Sequence, residues 1–204
     1  MLEAQNLAAS RGFSKLYTGL SFRVGAGEAL VVTGANGTGK TTLLRMLAGL
    51  AAPESGEIRW QGRTVAPFDP ALRASIGYAG HLPSLKDDLT TEENLASLAA
   101  LEGATPAREA ILAALDNVAL SRQRTLPARV LSQGQRRRIG LARLSLVVRP
   151  LWLLDEPLAA LDAAGAELLT RLLNGHLATG GLVVAATHAP LGLAGSRVAA
   201  LVLG

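Results

Sequence analysis

Eight consecutive residues constrain this chain more than any others: Gly34-Ala35-Asn36-Gly37-Thr38-Gly39-Lys40-Thr41. They fit the pattern G-x-x-x-x-G-K-[ST], and they stand where that pattern has to stand to work. Before them runs an apolar, β-branched stretch, residues 28–33. After them, Leu43, Leu44, Leu47 and Leu50 repeat at helical spacing. A buried strand, a glycine-rich turn and a helix follow one another, and the backbone N–H groups of such a turn face inward together with the positive end of the helix. That arrangement binds phosphate. Lys40 supplies a point charge to the β- and γ-phosphates, the Thr41 hydroxyl is placed to ligate magnesium, and Thr42 continues the nucleotide-binding turn. With only three lysines in 204 residues (Lys15, Lys40, Lys86), an accidental match is remote.

Two further apolar runs without polar alternation, Leu151–Leu154 and Leu182–Ala186, suit parallel strands covered on both faces, and residues 163–176 read as the helix that crosses between them. The expected fold is α/β, with ligands at the carboxyl ends of the strands, just after Thr33, Leu154 and Thr187. Leu2, Leu7, Leu20, Phe22 and Val24 suggest antiparallel strands laid over that core, and residues 57–65 suggest a hairpin. Glu92–Leu101 and Arg108–Leu120 read as helices of a small insert, followed by a helix over Gln133–Val147.

Leu154 is followed by Asp155-Glu156. Adjacent side chains at a strand end point in different directions, so the two carboxylates can divide the work. Asp155 is expected to reach the magnesium and Glu156 to polarise the attacking water. Ser132 is a good N-cap, and Gly134 leaves the first-turn amides of the following helix open, which makes that helix end a second anion site.

The stretch from Leu131 to Arg138, with Ser132-Gln133-Gly134-Gln135 at its heart, resembles the LSGGQ signature of ABC ATPases. Pro157-Leu158-Ala159-Ala160-Leu161-Asp162 resembles their D-loop, Asp155-Glu156 their Walker B acids, and His188 after the strand ending at Thr187 their switch histidine. The resemblance implies one ABC ATP-binding domain over 1–204. Residues 1–80 and 150–204 would form a RecA-like P-loop NTPase core with an N-terminal antiparallel β subdomain, and about 86–148 a small α-helical subdomain. It implies ATP hydrolysis by a head-to-tail pair, in which the signature of one copy meets the γ-phosphate held by a second copy of itself. Catalysis would fall to Lys40, Glu156 and His188, with Asp162 in the D-loop.

The chain departs from the family pattern in three places. Gln133 stands where the signature usually has Gly. His81, in the segment 76–83, aligns with the Q-loop glutamine and is a candidate magnesium ligand. The aromatic that stacks on adenine could be replaced by Arg11, Phe13 or Tyr17, with Phe13 favoured. The run Gly80-His81-Leu82-Pro83-Ser84-Leu85-Lys86, then Leu89-Thr90 and Glu93-Asn94-Leu95, is similar to the ATP-binding subunit of the bacterial cytochrome c maturation haem exporter, as is the short ending 16 residues after His188. That resemblance implies a polytopic membrane subunit as partner, a peripheral position on the cytoplasmic side of the bacterial inner membrane, and an ATP cycle that drives release of a haem-loaded periplasmic chaperone. The alternatives are another small ABC exporter, or a non-transport ABC ATPase acting on nucleic acid.

Composition narrows these readings. The hydrophobic fraction of 49% and charged fraction of 18% belong to a folded domain. The absence of cysteine removes disulfides and thiolate chemistry. A net charge of +4 without a basic stripe gives no reason to expect nucleic acid as a partner, and the one tight cluster, Arg136-Arg137-Arg138, reads as a solvated or membrane-facing helix side. No stretch approaches the roughly 20 apolar residues of a spanning helix, and the N-terminus shows no signal peptide.

Overall fold

The structure, a computed structural model, describes residues 1–80, 84–193 and 197–204. Two sheets and six α-helices account for most of them. Strands β1 (Leu2–Arg11), β2 (Ser14–Val24), β4 (Ser55–Trp60) and β5 (Arg63–Thr64) form an antiparallel sheet in the order β2-β1-β4-β5. The other sheet, in the order β6-β7-β8-β3-β9, is parallel and holds β3 (Glu28–Gly34), β6 (Ile76–Ala79), β7 (Leu151–Asp155), β8 (Leu182–Ala186) and β9 (Arg197–Leu203). The helices are α1 (Lys40–Leu47), α2 (Pro70–Ala74), α3 (Thr91–Leu101), α4 (Arg108–Asn117), α5 (Gln133–Leu146) and α6 (Ala163–Ala178).

The apolar runs behave as their lack of alternation requires. Every residue of β7 and β8 is buried. Leu151 and Leu153 turn to one face, joining Leu43, Leu47 and, from the antiparallel sheet, Leu2 and Leu7. Trp152 and Leu154 turn to the other, joining Leu141 of α5, Leu168 and Leu173 of α6 and Leu95 and Leu115 of the helical insert. The central sheet is thus clamped between two apolar layers, and each buried leucine contributes roughly 1.5–3 kcal/mol.

Local chemistry sets the helix limits. Thr90 and Glu93 close a capping box on α3, and Asn94, almost wholly buried, donates to the carbonyls of Lys86, Leu89 and Thr90 and accepts from Lys86 N–H, pinning the turn before the helix. Helix α4 stops at Asn117 rather than Leu120, because Ala119 takes a left-handed φ of 56°. Strand β6 is an outer strand of its sheet, and the carbonyls of Tyr78 and, just past the strand, Gly80 accept from Arg143 and Arg137 of α5.

The arginine cluster differs from its sequence reading as a solvated or membrane-facing side. Arg137 is buried, Arg136 pairs with Asp87, and Arg138 pairs with Asp162 at 2.6 Å. Only their sequence proximity is surface-like; in the fold all three are spent on intramolecular contacts.

Candidate active site

The carboxyl ends of β3, β7 and β8 converge, and with them the predicted residues. Gly34 ends β3 with φ 143°, and a Cβ there would stand 2.2 Å from the Leu203 carbonyl oxygen, so only glycine lets the loop turn against β9. Gly39 caps α1 in the left-handed region at φ 101°, which lays the loop over the helix N-terminus. Lys40, at the first position of α1, is buried, and its Nζ donates to the Gly34 and Ala35 carbonyls at 2.7 and 3.0 Å. Its charge is thereby held over the mouth of the loop.

Thr41 lies one residue on, and its Oγ1 donates to Asp155 Oδ2 at 2.8 Å across 114 positions of sequence. These are two hard oxygen donors in contact. Among the described residues no group of three His, Cys, Asp or Glu side chains could hold an ion by itself. The pair therefore fits magnesium, which takes one or two protein oxygens and keeps phosphate and water as its other ligands.

Glu156 follows β7 at φ 47°, a left-handed conformation that few non-glycine residues adopt. Its carboxylate reaches His188, whose Nε2 lies 3.4 Å from Glu156 Oε1 and 3.2 Å from Asn36 Oδ1. A carboxylate, an imidazole and a loop amide side chain thus meet beside the phosphate loop, a set chemically able to orient water and to donate to an anion.

A cavity of about 210 Å³ lies between the phosphate loop and the two acids, lined among others by Arg11, Leu16, Asn36, Lys40, Asp155 and Glu156, with His188 off its wall. It is smaller than the roughly 300–1,000 Å³ of a complete ligand site. Phe13 does not line it and is fully exposed at the β1–β2 turn. Tyr17 is turned inward, where its hydroxyl donates to Met46 Sδ at 3.6 Å and burial pushes its pKa up to about 12. Of the three candidates for the base, Arg11 is the one on the wall. His81 lies outside the described residues.

The signature residues stand apart from this cavity. Ser132 caps α5 with Gln135 as its reciprocal partner: Ser132 Oγ accepts from Gln135 N–H at 3.2 Å and Gln135 Oε1 accepts from Ser132 N–H at 3.0 Å. Gly134 has a second reason to be glycine, since a Cβ would stand 2.8 Å from the Ala160 carbonyl oxygen. Asp162 accepts from Gly165 N–H as the cap of α6 and pairs with Arg138, so its carboxyl is held below the ordinary range, first by that backbone bond. Signature helix and D-loop are thus locked together within one chain.

Sequence reasoning missed Arg137. It falls on the apolar stripe of α5 with Leu141 and Leu144, at i, i+4 and i+7, and a charge on a buried stripe is the signal that could have found it.

Residues 17–159 match the ABC transporter family. The chain belongs to this family. ABC cassettes bind ATP and hydrolyse it, and this one is an ATPase of that type. It is 45% identical to the cytochrome c biogenesis ATP-binding export protein of Dechloromonas aromatica over 204 residues, 100% of both chains. The protein of the same name from Nitrosomonas europaea is 47% identical, covering 100% of this chain and 95% of its own. Among solved structures, a putative ABC transporter ATP-binding protein from Pyrococcus furiosus superposes with TM-score 0.84 at 25% identity, covering 99% and 96% of the two chains. A dimeric ATP-binding cassette in a post-hydrolysis state, with ADP and phosphate bound, does so with TM-score 0.80 at 26% identity, covering 93% of this ABC chain and 88% of its own.

Proposed function

We propose that this chain is the ATP-hydrolysing subunit of a membrane export complex serving cytochrome c biogenesis, with haem as the exported class of cargo. The observation that carries the reading is identity of 45% along the entire chain to an ATP-binding export protein of that process. No helix among the described residues is long and apolar enough to cross a membrane. Attachment therefore falls to a polytopic partner, with the cassette peripheral on the cytoplasmic face of the inner membrane.

In this reading residues 1–80 and 150–204 are the nucleotide-holding core and about 86–148 the helical subdomain that presents the signature. The amides of Gly34 to Thr42 and the Lys40 ammonium hold the β- and γ-phosphates. Thr41 and Asp155 hold magnesium, which supplies charge neutralisation to the phosphates. Glu156 polarises the attacking water, and His188 with Asn36 contacts the γ-phosphate. The incomplete cavity is closed by a second copy, whose Ser132, Gln133, Gly134 and Gln135 bring a helix N-terminus to the γ-phosphate while Asp162 holds the D-loop beside it.

Two measurements test this. The tagged chain, purified from detergent-solubilised membranes, is expected to bring a polytopic membrane protein with it; nucleic acid in its place would refute the transport role. Glu156→Gln, given magnesium and ATP, is expected to run as a dimer with turnover reduced about 10²-fold or more. Competent hydrolysis by a strictly monomeric protein would refute the shared site.

A further inference from the structure

Glu156 holds a left-handed backbone conformation, φ 47°, that persists only where its surroundings over-determine it. The residues that fix it can be named. Its N–H donates to the Ala186 carbonyl of the neighbouring strand at 2.8 Å, and its own carbonyl accepts from Ala159 N–H at 3.1 Å and from Arg137 Nη2 at 2.6 Å. The same Nη2 also donates to the Asp155 carbonyl at 2.9 Å, while Nη1 donates to the Gly80 carbonyl at 2.8 Å. One planar fork thus joins the ends of β6 and β7, and it is carried on α5, five positions after the signature cap Ser132.

Such a contact has to be maintained against a cost. Arg137 is only 5% exposed, and burial presses its pKa below the ordinary guanidinium value, although the Asp155 and Glu156 carboxylates oppose that fall. A buried cation spent on backbone carbonyls adds little to stability compared with an apolar side chain. Its placement makes sense if the geometry it enforces matters. Only a guanidinium could do this, because a lysine ammonium is a point donor that cannot span two strand ends in one plane.

We infer that Arg137 is a positioning residue for ATP hydrolysis, fixing the turn that aims the Glu156 carboxylate and tying that turn to the helix whose N-terminus is the signature. The inference rests on Glu156 being the water-polarising group. It makes the hydrolytic carboxylate and the signature end of one chain a single mechanical unit: a displacement of α5 moves Glu156.

The test is single-turnover hydrolysis by the full-length chain, which resolves the residual rate of slow variants, together with the ATP dissociation constant. Arg137→Met and Arg137→Lys are expected to lower the hydrolysis rate about ten- to hundredfold, a part of the roughly 10²–10⁴-fold that general-base catalysis contributes, since the carboxylate is misaimed and not removed. ATP affinity should stay within about threefold, since the described hydrogen bonds of Arg137 go to the Gly80, Asp155 and Glu156 carbonyls and not to the phosphate loop. Introduced into Glu156→Gln, either substitution should cost nothing further, because the group it positions is gone. Arg143→Lys, which disturbs another α5 contact to β6 but neither carboxylate, should lower thermal stability and leave the rate unchanged. If Arg137→Met does not fold, Arg137→Lys, with charge and length kept, is read in its place. Wild-type hydrolysis in a folded Arg137 variant, a matching loss of ATP affinity, or a loss that multiplies that of Glu156→Gln would each overturn the inference. Normal turnover in Glu156→Gln alone would sink the underlying role of Glu156 as well, so the two failures are told apart.

Discussion

Gly134 and Gly175 lie inside helices α5 and α6, and replacing either with alanine removes backbone freedom worth up to about 1 kcal/mol in the variant's favour. Their surroundings are opposite. A Cβ at Gly175 meets nothing within 4 Å, whereas one at Gly134 stands 2.8 Å from the Ala160 carbonyl oxygen. Gly175→Ala should therefore keep the full gain, raising Tm by about 2–4 °C for a chain of this size. At Gly134 the backbone oxygen has to retreat by about half an ångström, and overpacking of this kind costs about 1–3 kcal/mol. The net effect is a loss of zero to about 2 kcal/mol, or a Tm lower by as much as about 8 °C. Ala160 itself sits at φ 61° in the loop that ends in Asp162, so its displacement is carried into the D-loop. Turnover should fall severalfold in Gly134→Ala and stay at the wild-type level in Gly175→Ala. Differential scanning calorimetry and steady-state ATPase rates on the two variants decide the matter. A Gly134→Ala protein as stable as Gly175→Ala, and as active as wild type, would show that the close approach constrains nothing.

Lys40→Ala removes the buried ammonium over the phosphate loop and should weaken ATP binding by about two orders of magnitude, as loss of a charge-assisted phosphate contact does; isothermal titration calorimetry reads it, and an unchanged dissociation constant contradicts the loop's role. His176 stacks on Trp152 with ring centroids 3.9 Å apart, and burial holds its pKa below 6.5. The unfolded chain then binds the proton more readily, so stability is complete above the unfolded pKa and declines as pH falls through about 6.5 toward the folded value. His176→Phe, which stacks but cannot protonate, should reduce the difference in urea midpoint between about pH 7.5 and pH 5.5, and an undiminished difference refutes the assignment.

Much of this organisation was legible without coordinates, because its signals are local. The phosphate loop, the acids after β7 and the cap at Ser132 each need only a few neighbouring residues to be read. Strands β7 and β8 announced themselves by apolar runs that suit burial on both faces. What was not legible depends on contacts between distant segments. A shared magnesium brings Thr41 and Asp155 together on sequence grounds, but the close approach of Ala160 to Gly134 exists only in three dimensions. The arginine cluster misled for the same reason: charge density along the chain reports composition, whereas the burial of Arg137 depends on carbonyls contributed by residues 80, 155 and 156. Phe13 was favoured for its flat ring; residue type does not say which way a hairpin tip faces, and Phe13 stands exposed there while Arg11 lines the cavity.

The guanidinium groups along β6 have one more effect. An outer strand of a parallel sheet offers a row of free acceptors to any extended segment that drifts past, and proteins that leave such a row bare are prone to stick to one another. Here Arg143 and Arg137 occupy the Tyr78 and Gly80 carbonyls, while Arg149 donates to the Ala74 carbonyl at the end of α2, before the strand begins. On this border two side chains of α5 take acceptor positions that a sixth strand would otherwise fill.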